Sequence, residues 1–148
     1  MGSYKISAEK LLSLKSELED CLAKRPGIVE RVSDARELGD LKENAEYHGA
    51  RDEQRSNESR IEEIEAILEN YEIIDSVDTD QVSLGSRVLL VGTDGQKREY
   101  RIMGSLEADP ANGILSEESP IGVQLIGKKV GDGIEIAGKN YKIEDVGA

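Results

Sequence analysis

Asp40 and Glu43 stand three residues apart in the run Gly39-Asp40-Leu41-Lys42-Glu43-Asn44-Ala45-Glu46-Tyr47. Two carboxylates at that spacing support two kinds of chemistry. They are presented at a predicted turn, where an exposed carboxylate pair can carry chemistry. They also form a capping box, with Asp40 as N-cap and Glu43 at the third helical position, where the helix dipole favours each charge by about 0.3–1 kcal/mol. Spacing alone leaves both roles open, and the two are compatible. The lone His48 lacks any metal-ligand spacing and reads as an exposed helical residue, while Tyr47 falls on an apolar seam. Cys21, the only cysteine, also reads as a seam residue, and one cysteine permits neither an internal disulfide nor a thiolate cluster.

The elements that must position the pair follow from periodicity. Leu11, Leu14, Leu18, Cys21, Ile28, Val32 and Ala35 recur at helical spacings interrupted by Arg25, so a long helix is predicted from about Ser7, with Pro26 expected to kink or restart it. A second series, Tyr47, Ala50, Gln54, Asn57, Ile61, Ile64, Leu68 and Tyr71, keeps heptad spacing with a polar middle. Gly39 is the natural stop for the first helix. The two then fold back as an antiparallel coiled-coil hairpin over residues 1–74, each arm about 45 Å long, with its acidic tip near 39–44 at the end remote from both termini.

Residues 75–81, Asp-Ser-Val-Asp-Thr-Asp-Gln, are polar and aperiodic, and read as a linker. Glycines concentrate from Gly85 onward, where short apolar stretches alternate with turn signals. Strands are predicted near Arg87 to Val91, Lys97 to Met103, Ile134 to Ile136 and Tyr141 to Val146, with Asp94-Gly95 as a hairpin turn. Ser119-Pro120 reads as N-cap and first residue of a short helix through Leu125 and Ile126, stopped by Gly127. The chain is thus α+β, with a small second domain over 82–148.

Charge narrows the function classes. The formal net charge is −12, about −8 of it in residues 1–75. Such a chain is repelled by phosphate backbones at long range, so a nucleic-acid connection has to run through another protein or through metal ions. Phe and Trp are absent, which argues against a base-stacking platform. With no secretory segment and no membrane-length apolar run, the expected location is the cytoplasm.

Residues 39–48, Gly-Asp-Leu-Lys-Glu-Asn-Ala-Glu-Tyr-His, resemble the hairpin-tip motif of the GreA/GreB family of bacterial transcript cleavage factors. The resemblance extends to Ile6-Ser7-Ala8-Glu9, to Arg60 through Glu65, and to Ser119-Pro120-Ile121, Leu125-Ile126-Gly127-Lys128 and Gly131-Asp132. It implies an FKBP-like fold for the second domain, which docks on bacterial RNA polymerase while the coiled coil enters the secondary channel. Asp40 and Glu43 are then the tip carboxylates that share a weakly held Mg²⁺ with the polymerase and help cleave the 3′ end of backtracked nascent RNA. Arg36 and Arg51 match a small basic patch facing that RNA. Their other reading is a solvated helical face, with Arg36 placed to pair with Asp40.

The protein so implied is a monomeric catalytic accessory with no nuclease activity of its own. Gly122-Val123-Gln124 departs from the Ala-Arg-Gly expected between Ile121 and Leu125, and Leu106 to Asn112 carries no assigned role. The nearest rival is a secondary-channel binder that inhibits polymerase without promoting cleavage. A proline isomerase needs an apolar aromatic pocket, and this chain has no Phe or Trp to build one, while a coiled-coil scaffold is ill served by Gln54 and Asn57 in its seam.

Overall fold

The computed structural model describes residues 3–40, 43–74, 77 and 79–148. The chain divides into two compact units, one spanning Glu9–Tyr71 and the other joining the N-terminal residues through Ala8 to Glu72–Ala148.

The first unit is a helical hairpin. Helix α1 runs Ala8–Arg36 and α2 runs Ala45–Glu69, about 44 and 38 Å at 1.5 Å per residue. As the partners on α1 advance from Glu17 through Arg25 to Arg31, those on α2 retreat from Arg60 through Glu58 to Glu53, so the pair is antiparallel. Leu14, Cys21, Ile28, Val32 and Ala35 are buried on α1, and Ala50, Ile61, Ile64 and Ile67 on α2. Leu11, Leu18 and Leu68 are only half-buried, and Ile67 takes the deeper place that the heptad reading gave to Leu68.

Helix α1 continues through Pro26 as one element, so the predicted restart does not occur. Pro26 is exposed and forgoes one intrahelical hydrogen bond. Beside it Arg25 makes a two-pronged ion pair with Glu58, Nε to Oε1 and Nη2 to Oε2, both 2.7 Å. The polar middle of α2 is likewise used, since Asn57 Nδ2 donates to the Cys21 carbonyl at 2.9 Å.

In the second unit, β1 (Tyr4–Ile6) and β2 (Tyr71–Ile73) form a two-stranded sheet. A five-stranded sheet has the order β5-β4-β3-β7-β6, from β3 (Arg87–Gly92), β4 (Lys97–Met103), β5 (Ile114–Ser116), β6 (Gly133–Ile136) and β7 (Lys139–Gly147). In that sheet β4 and β5 pair in parallel and the other neighbours antiparallel. The β3–β4 hairpin turns at Asp94-Gly95 as the sequence implies, with Gly95 at φ +83°.

Helix α3 (Pro120–Leu125) starts on Ser119, whose Oγ accepts from Gly122 N–H at 3.1 Å. Val88, Leu90, Ile102, Leu125, Tyr141 and Ile143 lie in one core over the sheet. Strands β1, β2 and β5 are additions to the sequence reading; three residues each is too short for alternation to register. Asp75, Ser76 and Asp78 of the expected linker lie outside the described residues, and Val77 with Thr79 to Gln81 forms neither helix nor strand.

Candidate functional site

The connection between α1 and α2 carries the acidic pair. Asp40 and Glu43 are both exposed, and Leu41 and Lys42 of the motif lie outside the described residues. Gly39 adopts φ +142°, a backbone region in which a side chain is strained, so its glycine is a conformational requirement of the reversal. The first helix ends at Arg36, three residues before Gly39, and Leu38 N–H bonds back to Ala35 O at 3.1 Å.

Asp40 and Glu43 do not form the expected capping box of α2. The N-cap of α2 is Asn44, whose side chain accepts from Tyr47 N–H at 3.0 Å. Asp40 lies four residues before it and Glu43 one residue before it, outside the helix. The physical reason is that Asn44 is an equally good cap, and its choice leaves a longer connection over which to reverse the chain. The carboxylates are thereby released from helix-capping duty. Sequence reasoning missed Asn44 because Asp-x-x-Glu is the more familiar opening; the signal was an Asn directly before Ala45-Glu46, an acidic first turn.

Asn44 has a second bond. Its Nδ2 donates to Ala35 O at 2.6 Å, so one side chain links the first turn of α2 to the last turn of α1. Beneath it Ile28, Val32 and Ala50 pack together with half-buried Tyr47. The Tyr47 ring carries the Arg36 guanidinium 5.7 Å from its centroid, a cation–π contact, and meets the His48 ring edge-on at 5.5 Å.

Arg36 and Arg51 are both held, by different partners. Arg36 is exposed and rests on Tyr47, while Arg51 is half-buried and donates Nη1 to Gln54 Oε1 at 2.5 Å. Arg55, read beside Arg51 on a solvated face, pairs with Asp52 at 2.8 Å. Arg36 therefore sits at the same end of the hairpin as the carboxylates, and Arg51 lies on α2 seven residues beyond its cap. Exposed Leu38 (67%) adds an apolar side chain to this end.

Farther along the hairpin, Arg60 grips Glu17 with Nε and Nη2 at 2.6 and 2.7 Å, and Glu63 at 3.0 Å. The Arg60 hydrogen bonds hold the Glu17 carboxyl below its ordinary value of 4.5, against a smaller opposing effect of burial. Arg25 likewise lowers Glu58 through its hydrogen bonds. These pairs bridge the two arms.

As ligands, Asp40 and Glu43 offer hard oxygens that fit Mg²⁺ in kind and fall short of its shell in number. Among the described residues no group of three or more His, Cys, Asp or Glu is placed to hold a metal. Other ligands for an ion at this end have to come from another molecule. In the second unit a concavity of about 590 Å³ is walled by Val91, Gly92, Thr93, Gly133 and residues 140–144, with Tyr141 the ring among them. Among the described residues, no helix is long and apolar enough to cross a membrane.

Two family models match the chain, "Transcription elongation factor, N-terminal" over residues 4–73 and "Transcription elongation factor, GreA/GreB, C-term" over 77–147. Transcription elongation factor GreA of Lachnoclostridium phytofermentans is 44% identical over 143 residues, covering 93% of this chain and 89% of the relative. Its counterpart from Mesorhizobium japonicum is 42% identical over 154 residues, covering 99% and 98%. The solved structure of GreA factor homolog 1 (Gfh1) of Thermus thermophilus aligns over 99% of each chain at 21% identity, with a TM-score of 0.47.

Proposed function

Because this chain belongs to the GreA/GreB family of transcription elongation factors, we propose that it enters the secondary channel of bacterial RNA polymerase hairpin-first and stimulates cleavage of backtracked nascent RNA. The observation that carries the reading is the exposure of Asp40 and Glu43 at the connection between the two helices, outside α2. Both are exposed at the hairpin tip, and Asn44 performs the capping that would otherwise explain them.

Asp40 and Glu43 add carboxylate oxygens to an active centre that already belongs to the polymerase. Asp40 and Glu43 would hold Mg²⁺ jointly with the polymerase, and the ion when bound would supply the Lewis acidity that makes water a nucleophile toward a phosphodiester. The chain's part is to deliver its two ligands at one depth and in one orientation, which a hairpin braced by the Arg25–Glu58 and Arg60–Glu17 pairs is suited to do. Arg36, held over Tyr47, and Arg51, held by Gln54, offer positive charge near the tip to the 3′ segment of the RNA. The globular unit supplies the docking surface. The chain is an accessory that acts as a monomer in the cytoplasm and has no nuclease activity alone.

The test is Mg²⁺-dependent RNA shortening in purified backtracked complexes, comparing wild type with Asp40→Ala and Glu43→Ala and including a polymerase-free control. Release of short 3′ fragments by wild type only with polymerase, lost in both variants while binding persists, supports the reading. Binding by wild type without cleavage replaces it with an inhibitor of the polymerase.

A further inference from the structure

We propose that Asn44 is the positioning residue for Asp40 and Glu43. The inference rests on the reading of those carboxylates as the reacting ligands. It stands on two hydrogen bonds from one amide, Oδ1 from Tyr47 N–H at 3.0 Å and Nδ2 to Ala35 O at 2.6 Å. Only one orientation of the amide satisfies both, since the flipped form sets donor against donor and acceptor against acceptor. The two ends of the connection are therefore tied to each other by a rigid, half-buried group rather than by backbone alone.

What this amide restrains is the stretch that carries the carboxylates. Gly39 lies within it, and both Asp40 and Glu43 are exposed, so packing does little to hold them. Ala35 O also receives Leu38 N–H, and Tyr47, whose N–H bonds to Asn44, supports Arg36 on its ring. Leu38 N–H and the Asn44 amide thus meet at one carbonyl, and Tyr47 links Asn44 to Arg36.

No other good N-cap residue reproduces both bonds. Asp lacks the donor, and the short Ser side chain has a single oxygen that would have to serve both helices. Ser keeps the cap and drops the tie to α1, which separates positioning from helix stability.

The experiment uses the full chain with Asn44→Ser and Asn44→Ala. In the free protein, millisecond-resolved amide hydrogen exchange should quicken at residues 37–40 and 43–44 in both variants, and by a larger factor there than at residues 57–67. In backtracked complexes at saturating factor, the cleavage rate of Asn44→Ser should fall at least about tenfold, because misplacing a reacting group by about 1 Å can slow a reaction about a hundredfold. The concentration giving half-maximal cleavage should stay within about twofold, and far-UV helicity should be unchanged.

Wild-type exchange at the tip of Asn44→Ser, or a wild-type cleavage rate, overturns the inference. If wild type itself promotes no cleavage, the functional reading fails instead. The exchange measurement still decides whether Asn44 orders the tip.

Discussion

Removing the Asn44 side chain should destabilise the hairpin far more than removing either tip carboxylate. Asn44→Ala deletes an N-cap bond, worth about 1 kcal/mol, and the bond to Ala35 O, worth about 0.5–1.5 kcal/mol, for a loss of about 1.5–2.5 kcal/mol. Asp40 lies outside the helix and is exposed, and a charge pair at such a surface position is worth under about 1 kcal/mol. Glu43, one residue before the cap, contributes at most a dipole effect of about 0.3–1 kcal/mol.

Urea unfolding followed by far-UV helicity measures the contrast. With a slope of about 1.5 kcal/mol per molar, Asn44→Ala should lower the midpoint by about 1–1.7 M, and Asp40→Ala by less than about 0.7 M. Equal losses for Asp40→Ala and Asn44→Ala would refute the assignment of the cap. They would also restore the capping explanation for Asp40, and with it weaken the chemical one.

Other expectations concern stability and packing. Glu17, held below its ordinary 4.5 by Arg60, contributes stability that is present above that value and lost as pH falls through its folded value. The melting-temperature gap between wild type and Glu17→Gln should therefore shrink from pH 7 to pH 3; a constant or widening gap contradicts the pairing. Ala137 sits at φ +52° beside Gly138 at +81° in the two-residue β6–β7 turn, a conformation that Asn tolerates better than Ala. Ala137→Asn should raise stability by about 0.5–1 kcal/mol in urea unfolding, and a loss would show the turn is otherwise built. Cys21 is 6% exposed, so a thiol reagent should label it slowly until urea opens the hairpin; prompt labelling of helical protein would put the seam elsewhere.

The long elements were legible because many residues vote for them. Leu14, Cys21, Ile28 and Val32 repeat one spacing over most of α1, and no local exception such as Pro26 outweighs that burial. Asp94-Gly95 and Ser119-Pro120 were legible for a different reason, since each asks for a backbone geometry few residues supply. Strand β1 was not. Tyr-Lys-Ile holds one buried residue, Ile6, and its pairing with β2 joins segments more than sixty residues apart.

Glu107 shows the same limit in an unassigned loop, where its carboxylate accepts from both the N–H and the hydroxyl of Ser7 at 2.9 and 2.6 Å. At the candidate site the types of the residues were readable and their duties were not. Asp40 and Asn44 are both strong caps, and only the length of the connection decides between them. Arg36 illustrates the rest: four residues from Asp40 it looked like an ion-pair partner, yet Tyr47, eleven residues on, offers its ring.

The central claim is that Asp40 and Glu43 act as ligands inside the polymerase and not as structural groups. The most direct measurement is the Mg²⁺ dependence of single-turnover RNA cleavage at saturating factor, with the isosteric variants Asp40→Asn and Glu43→Gln. The account predicts at least about a tenfold lower rate at fixed Mg²⁺ and a higher Mg²⁺ concentration for half-maximal rate, with polymerase affinity and hairpin stability unchanged. Variants that cleave as wild type does at every Mg²⁺ concentration would contradict it.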